Sequence, residues 1–107
     1  MTSVRKMRRE GIEDTVKRVA PEARYIYVSI DTDVLDAAIV PGTTLPEPGG
    51  FTYDELVLGL AAVAQKGQVI GFDIVELNPP HDVNGLTART VNWFMFEFLR
   101  AIAENQR

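Results

Sequence analysis

Three aspartates, Asp31, Asp33 and Asp36, fall within the stretch "SIDTDVLDAAIVPGTTLPEPGG", and two more acids, Asp73 and Glu76, stand in "GFDIVELNPP". Clustered carboxylates repel one another unless a cation lies among them or one of them keeps its proton. A divalent metal removes the conflict, and hard oxygen ligands suit manganese or magnesium better than softer ions. Asp31 and Asp33 are two apart on an extended chain and so point to the same side, which makes this pair the candidate metal ligands. Asp36 reads equally well as a turn or capping aspartate, because Asp side chains readily bond their own backbone in loops.

These acids depend on the elements that carry them. "RYIYVSI" is short, β-branched and aromatic, and apolar on both parities, as in a parallel strand covered on both faces. "QVIGFDIVEL" is a second such strand, ended by Pro79 and Pro80. Between them, "FTYDELVLGLAAVAQKG" carries a Thr52–Glu55 capping box, a stripe of Leu56, Leu60, Val63 and Ala64, and Gly67 as its stop. A strand, helix, parallel strand unit is almost always right-handed, so residues 25–31 and 69–76 should end on one edge of the sheet. Adjacent strands lie about 4.8 Å apart, and open α/β sheets bind ligands at that edge. Asp73 and Glu76 are expected to end the second strand, so that the carboxylates of both strands share one crevice.

Residues 3–19 read as one amphipathic helix through Val4, Met7, Ile12, Val16 and Val19, with Ser3 as N-cap and Pro21 as stop; Gly11 in its interior weakens it. The closing helix, "TARTVNWFMFEFLRAIAEN", takes Thr87 as N-cap. Its Trp93, Phe94, Met95, Phe96 and Phe98 offer more apolar surface than two strands can cover. With two open sheet edges as well, the chain is expected to form a homo-oligomer or to need more of its fold. The element order predicts an α/β unit with parallel strands, occupying residues 1–107 as a single domain.

Composition sets the remaining bounds. The 107 residues have a net charge of -4, which disfavours a nucleic-acid partner. There is no cysteine, so thiolate metal sites and disulfides are excluded. No apolar run approaches the roughly 20 residues of a membrane span, and "MTSVRKMRRE" has no apolar signal core; a cytoplasmic location is the default.

A hydrophobic strand followed by "DTDVL" fits the first motif of haloacid-dehalogenase-type phosphatases. That family next needs a Ser or Thr ending a strand, a lysine and a later acidic pair, and the only lysine after the motif is Lys66, at a helix end. At full length, "SIDTDVLDAAIVPGTTLPEPGG" resembles the third signature of the ureohydrolases, the arginases and agmatinases: S-x-D-x-D-x-x-D-P-x-x-x-P-G-T-G-T-P-x-x-G-G. "GFDIVELNPPHD" is similar to the strand that follows that signature, "LTARTVNWFMFEFL" to the closing helix and "VRKMRREGIEDTVKRV" to the helix before it. The resemblance implies the C-terminal part of an arginase-like three-layer α/β/α fold. It also implies hydrolysis of a guanidino compound to urea and an amine, with two Mn²⁺ ions per complete site. On this resemblance Asp31 and Asp33 are metal ligands and Glu76 is the carboxylate that binds the guanidinium, where two parallel hydrogen bonds fix orientation as well as charge. The plainer reading of Glu76 is a strand-end acid capping a turn.

Ala37 stands where the signature has Pro, and Thr44 and Leu45 replace Gly-Thr. "DVLD" and "PEPGG" resemble agmatinases more than arginases. The family's earlier signatures, around G-G-D-H-S and D-A-H-x-D, supply further metal ligands and are not in this sequence. The single histidine, His81, reads as a solvated turn residue. Two expectations follow: part of a ureohydrolase whose activity needs the complete fold, or a non-catalytic module that keeps the fold for assembly.

Overall fold

The strand β1 (Tyr25–Asp31) runs parallel to β2 (Gln68–Val75), with Ser29 level with Asp73 and Asp31 level with Val75. The protein is described by a computed structural model that covers residues 3–20 and 22–106. Pro21, read from the sequence as a helix stop, lies outside the described residues.

Residues 3–19 do not form one helix. Gly11, at φ 91°, divides them into α1 (Val4–Glu10) and α2 (Ile12–Val19), since this backbone conformation suits glycine and breaks the helical ladder. Ser3 caps α1 as expected, its Oγ accepting from Lys6 N at 3.2 Å. Ile12, Thr15 and Val16 are buried, whereas Val19, assigned to the buried stripe from its spacing, is exposed.

The crossover helix α3 (Tyr53–Ala64) carries the full capping box: Glu55 N donates to Thr52 Oγ1 at 3.1 Å, and Thr52 N donates to Glu55 Oε1 at 3.0 Å. Leu56, Leu60 and Ala64 are buried as their spacing requires, but Ala62 is buried in place of Val63, because α3 packs on α2 as well as on the closing helix. The stop is Gln65, in right-handed geometry. Gly67 acts by close approach instead: a Cβ there would lie 2.0 Å from the Ala23 carbonyl oxygen.

The closing helix α4 (Leu86–Asn105) lies against α3 and β2. Phe94 and Phe98 are fully buried, and the Phe98 ring meets Phe72 of β2 at 5.2 Å between centroids. Removing either phenylalanine side chain to Ala would cost about 3–5 kcal/mol. Val28, Ile30, Phe72 and Ile74 turn toward this core, while Tyr25 and Tyr27 on the other face of β1 are 52% and 60% exposed. The strands are therefore covered on one face, not on both: the two helices that pack on them, α3 and α4, lie on the same side. Both sheet edges are open among the described residues.

Candidate metal and substrate site at the carboxyl edge of the sheet

Asp31, the last residue of β1, caps a single 3₁₀ turn, Thr32–Val34, and its Oδ1 accepts from Asp33 N at 3.0 Å. A short polar side chain at the end of a strand can take this turn because it supplies the acceptor the first free N–H needs. The turn folds Asp33 back beside Asp31, half-buried. Burial pushes the Asp33 carboxyl above its ordinary range, with further upward contributions from the hydrogen bond and charge of Asp31 and from the charges of Glu76 and Glu47. Three acids thus act on Asp33, and one of them reaches it from the second strand.

Glu76 follows the last residue of β2 and has φ 68°, a left-handed backbone that among the described non-glycine residues only Asn84 shares. For a residue with a Cβ this costs about 1–2 kcal/mol. Such strain persists where surrounding contacts over-determine it. Here they come from the glycine- and proline-rich loop. Thr43 Oγ1 donates to the Glu76 carbonyl at 3.0 Å, Asn78 N donates to the Gly42 carbonyl at 2.7 Å, and Thr43 forms an antiparallel bridge with Leu77. The Thr43 hydroxyl proton is committed to Glu76, so at the 2.9 Å contact between Thr32 Oγ1 and Thr43 Oγ1 it is Thr32 that donates. All of this lies between the two strand ends.

The other acids do structural work. Asp36 ties the loop's two limbs together: Oδ1 accepts from Ala38 N at 2.9 Å and Oδ2 from Gly49 N at 2.8 Å, and these bonds hold its carboxyl below the usual range. The turn reading of Asp36 is the one the geometry supports. Asp73 does not end β2. It sits opposite Ser29, accepting from Ser29 Oγ at 2.6 Å and from the Tyr27 hydroxyl at 3.0 Å on the uncovered face of the sheet. Asp31 and Asp33 thus stand at one edge of the sheet with Glu76 just beyond the end of the neighbouring strand, and Asp73 does not join them. His81 lies exposed in the turn Pro79–His81.

Several residues that shape the site drew no attention in the sequence. Glu47 joins the field at Asp33 through the folding of the loop. Gly42 N donates to the buried Thr87 Oγ1 at 2.7 Å, and a Cβ on Gly42 would lie 2.5 Å from Asp82 Cβ. Thr87 is consequently not the N-cap of α4, which begins one residue earlier. The N-cap position is Gly85, which has no side chain to offer, and Asp82 supplies the acceptors instead, its carboxylate accepting from Thr87 N at 2.8 Å and Ala88 N at 3.0 Å. Desolvation pushes the Asp82 carboxyl up, but these backbone bonds outweigh it and the net shift is downward. An acid following two prolines and a histidine was a legible capping signal, though Thr87 competed for the role.

Asp31 and Asp33 offer hard oxygen donors, the right kind for Mn²⁺ or Mg²⁺. Among the described residues, no group of three or more His, Cys, Asp or Glu side chains is placed to hold a metal ion. The donor set fits a divalent cation in chemistry and is incomplete in number. The phosphatase reading of "DTDVL" fails on geometry: Lys66 precedes β2, at the opposite end of the sheet from Asp31, and its Nζ donates to the Lys17 carbonyl and to Glu22.

The parallel sheet with its paired aspartates at one edge defines an α/β protein of the arginase type, and the chain belongs to the Arginase family, whose sequence model matches residues 1–100. It is similar to a guanidinopropionase of Pseudomonas aeruginosa, 42% identical over 105 residues, which cover 90% of this chain and 32% of the relative. An agmatinase of Bacillus anthracis is 40% identical over 89 residues, covering 80% of this chain and 31% of that protein. Among solved structures, the formimidoylglutamase of Bacillus subtilis superposes with a TM-score of 0.83 at 31% identity, covering 92% of this chain and 32% of that one. The chain spans about a third of the length of the curated relatives it matches. No helix among the described residues is long and apolar enough to cross a membrane.

Proposed function

We propose that this chain supplies part of the active site of an arginase-family hydrolase that cleaves the C–N bond of a guanidino compound to give urea and an amine. One observation carries the reading: Asp31 and Asp33 stand side by side at the end of β1, joined by the bond from Asp33 N to Asp31 Oδ1, and the loop that follows them is fastened through Thr43 to the strained backbone of Glu76 at the end of β2. Asp31 and Asp33 would hold Mn²⁺, together with ligands from the rest of the complete fold. When bound, such ions make a nucleophile of water near neutral pH. Glu76 would accept two hydrogen bonds from the planar guanidinium and orient its carbon. The Thr32–Thr43 pair fixes where that carboxylate starts from, which is how a buried hydroxyl chain contributes to orientation.

For the substrate, the relatives' names differ: guanidinopropionase, agmatinase, formimidoylglutamase. Glu47 lines the same hollow as Asp33, and its negative charge supports a substrate whose far end is cationic, as agmatine's is, over one ending in a carboxylate. The test joins residues 1–107 to the preceding two-thirds of the Pseudomonas aeruginosa relative and measures urea release with Mn²⁺ from agmatine, arginine, guanidinobutyrate and guanidinopropionate. Urea from agmatine in excess of the others supports the reading. A fully metal-loaded chimera that releases none from any of them overturns it in favour of a non-catalytic assembly role.

A further inference from the structure

Arg8 reaches the glycine- and proline-rich loop from outside it. Its Nε and Nη2 each bond a Glu55 carboxylate oxygen at 2.7 Å, and Nη2 also donates to the Gly50 carbonyl at 2.9 Å. Gly50 belongs to the returning limb of the loop, residues 49–51, and a Cβ there would lie 2.5 Å from the Leu35 carbonyl carbon. That limb holds the residues after Asp33. Phe51 N donates to the Val34 carbonyl at 2.8 Å, Asp36 N donates to the Phe51 carbonyl at 2.9 Å, and Gly49 N donates to Asp36 Oδ2 at 2.8 Å. The backbone leaving Asp33 is therefore hung on residues 49–51, while Asp33 N itself is held by Asp31 Oδ1.

Packing alone does not hold the limb in place. A hollow of about 380 Å³ opens beside it, lined by Val4 and Met7 of α1 together with Asp33, Val34 and Gly50. Side chains facing such a gap forgo contact energy on that side, so hydrogen bonds must set the position. Among the described residues, Arg8 is the one side chain from outside the loop that bonds the backbone of that limb. An exposed ion pair usually contributes little, but a forked guanidinium with a third acceptor fixes direction as well as distance. Glu55 is itself fixed, because its Oε1 also accepts from Thr52 N at 3.0 Å in the capping box of α3.

We infer that Arg8 is a positioning residue for Asp33: it clamps residues 49–51 to α1 and α3, and that limb in turn holds Asp33 in place. The consequence for metal binding rests on the function proposed for Asp31 and Asp33. The test is amide hydrogen exchange of the metal-free 107-residue chain, paired with Mn²⁺ titration by electron paramagnetic resonance, on wild type, Arg8→Lys and Arg8→Met. Lysine keeps the charge but cannot supply the fork. Exchange at Asp33 N and Phe51 N is expected to quicken at least tenfold in both variants. Phe98 N, in the core of α4, should keep its wild-type rate, as a local opening requires. Mn²⁺ binding should weaken about tenfold, as when a residue that supports the ligands is lost. Rates that rise together at all three amides would mean that Arg8 serves general stability only, and unchanged rates that it does not hold the limb; either overturns the inference. So does an unaltered Mn²⁺ affinity in a variant whose Asp33 N has loosened. If wild type binds no Mn²⁺, it is the metal reading that fails, and the exchange pattern decides whether Arg8 positions Asp33.

Discussion

The hydroxyl of Thr43 donates a 3.0 Å hydrogen bond to the backbone carbonyl of Glu76, fastening the glycine- and proline-rich loop to a residue held in a left-handed conformation at the end of β2. The bond ties the first candidate motif to the second across 33 residues of sequence. Thr43→Val keeps the shape and removes the hydroxyl. It leaves the Glu76 carbonyl without its donor and the buried Thr32 hydroxyl without its acceptor, a loss of about 1–3 kcal/mol. Thermal melts should show it, and Thr43→Ser should melt close to wild type. Equal melting temperatures for wild type and Val would remove the pinning role.

Glu76 and Asp31 should separate binding of substrate from binding of metal. In the complete fold, Glu76→Gln is expected to lose roughly 30-fold to several-thousand-fold in turnover, the equivalent of about 2–5 kcal/mol, while retaining Mn²⁺. Asp31→Asn should lose metal and activity together. Metal content by atomic absorption alongside urea release distinguishes them, and a Gln variant with near-normal turnover would sink the Glu76 assignment.

The 107-residue chain alone should release no measurable urea, yet it should bind Mn²⁺ weakly, since two carboxylates give only partial coordination. Calorimetry or electron paramagnetic resonance should detect this binding, and Asp33→Asn should reduce it. Identical titrations of wild type and variant would remove the metal assignment.

Arg8 and Glu55 make acid stability measurable. Arg8 Nε and Nη2 each bond a Glu55 carboxylate oxygen at 2.7 Å, and Nη2 also reaches the Gly50 carbonyl at 2.9 Å, so α1, the end of the loop and the capping box of α3 are joined. The bond to Arg8 pulls the Glu55 carboxyl down from 4.5 to about 2. A depressed carboxylate stabilises the fold in full above its unfolded value, so this contribution is present above pH 4.5 and is lost as pH falls toward about 2. Arg8→Met should therefore melt lower than wild type at pH 6, with the two converging near pH 2. A gap independent of pH would show that packing, not charge, is what Arg8 contributes.

Much of this protein was legible locally. The Thr52–Glu55 capping box, the Ser3 cap, the two strands and the buried Phe94 and Phe98 follow from spacing and residue type, because each depends on neighbours within a few positions. The Asp31–Asp33 pair is of the same kind: an Asx bond over two residues needs no tertiary partner. What required the folded chain were relationships between distant segments. Strand register moved Asp73 back from the edge to face Ser29 and Tyr27. The helix α4 begins behind Gly85, so Thr87 lies inside it, its hydroxyl accepting from Gly42 N while Asp82 accepts from the first free N–H groups. Glu76 acquired its left-handed backbone, and Glu47 its influence on Asp33, only once the loop had closed over both strand ends. The sequence by itself determined where the carboxylates fall and which helices and strands carry them, since those are short-range properties of side-chain chemistry and hydrophobic period. Which carboxylates lie near one another was decided by tertiary structure alone, because charges interact through space and only register and loop closure set the distances between them.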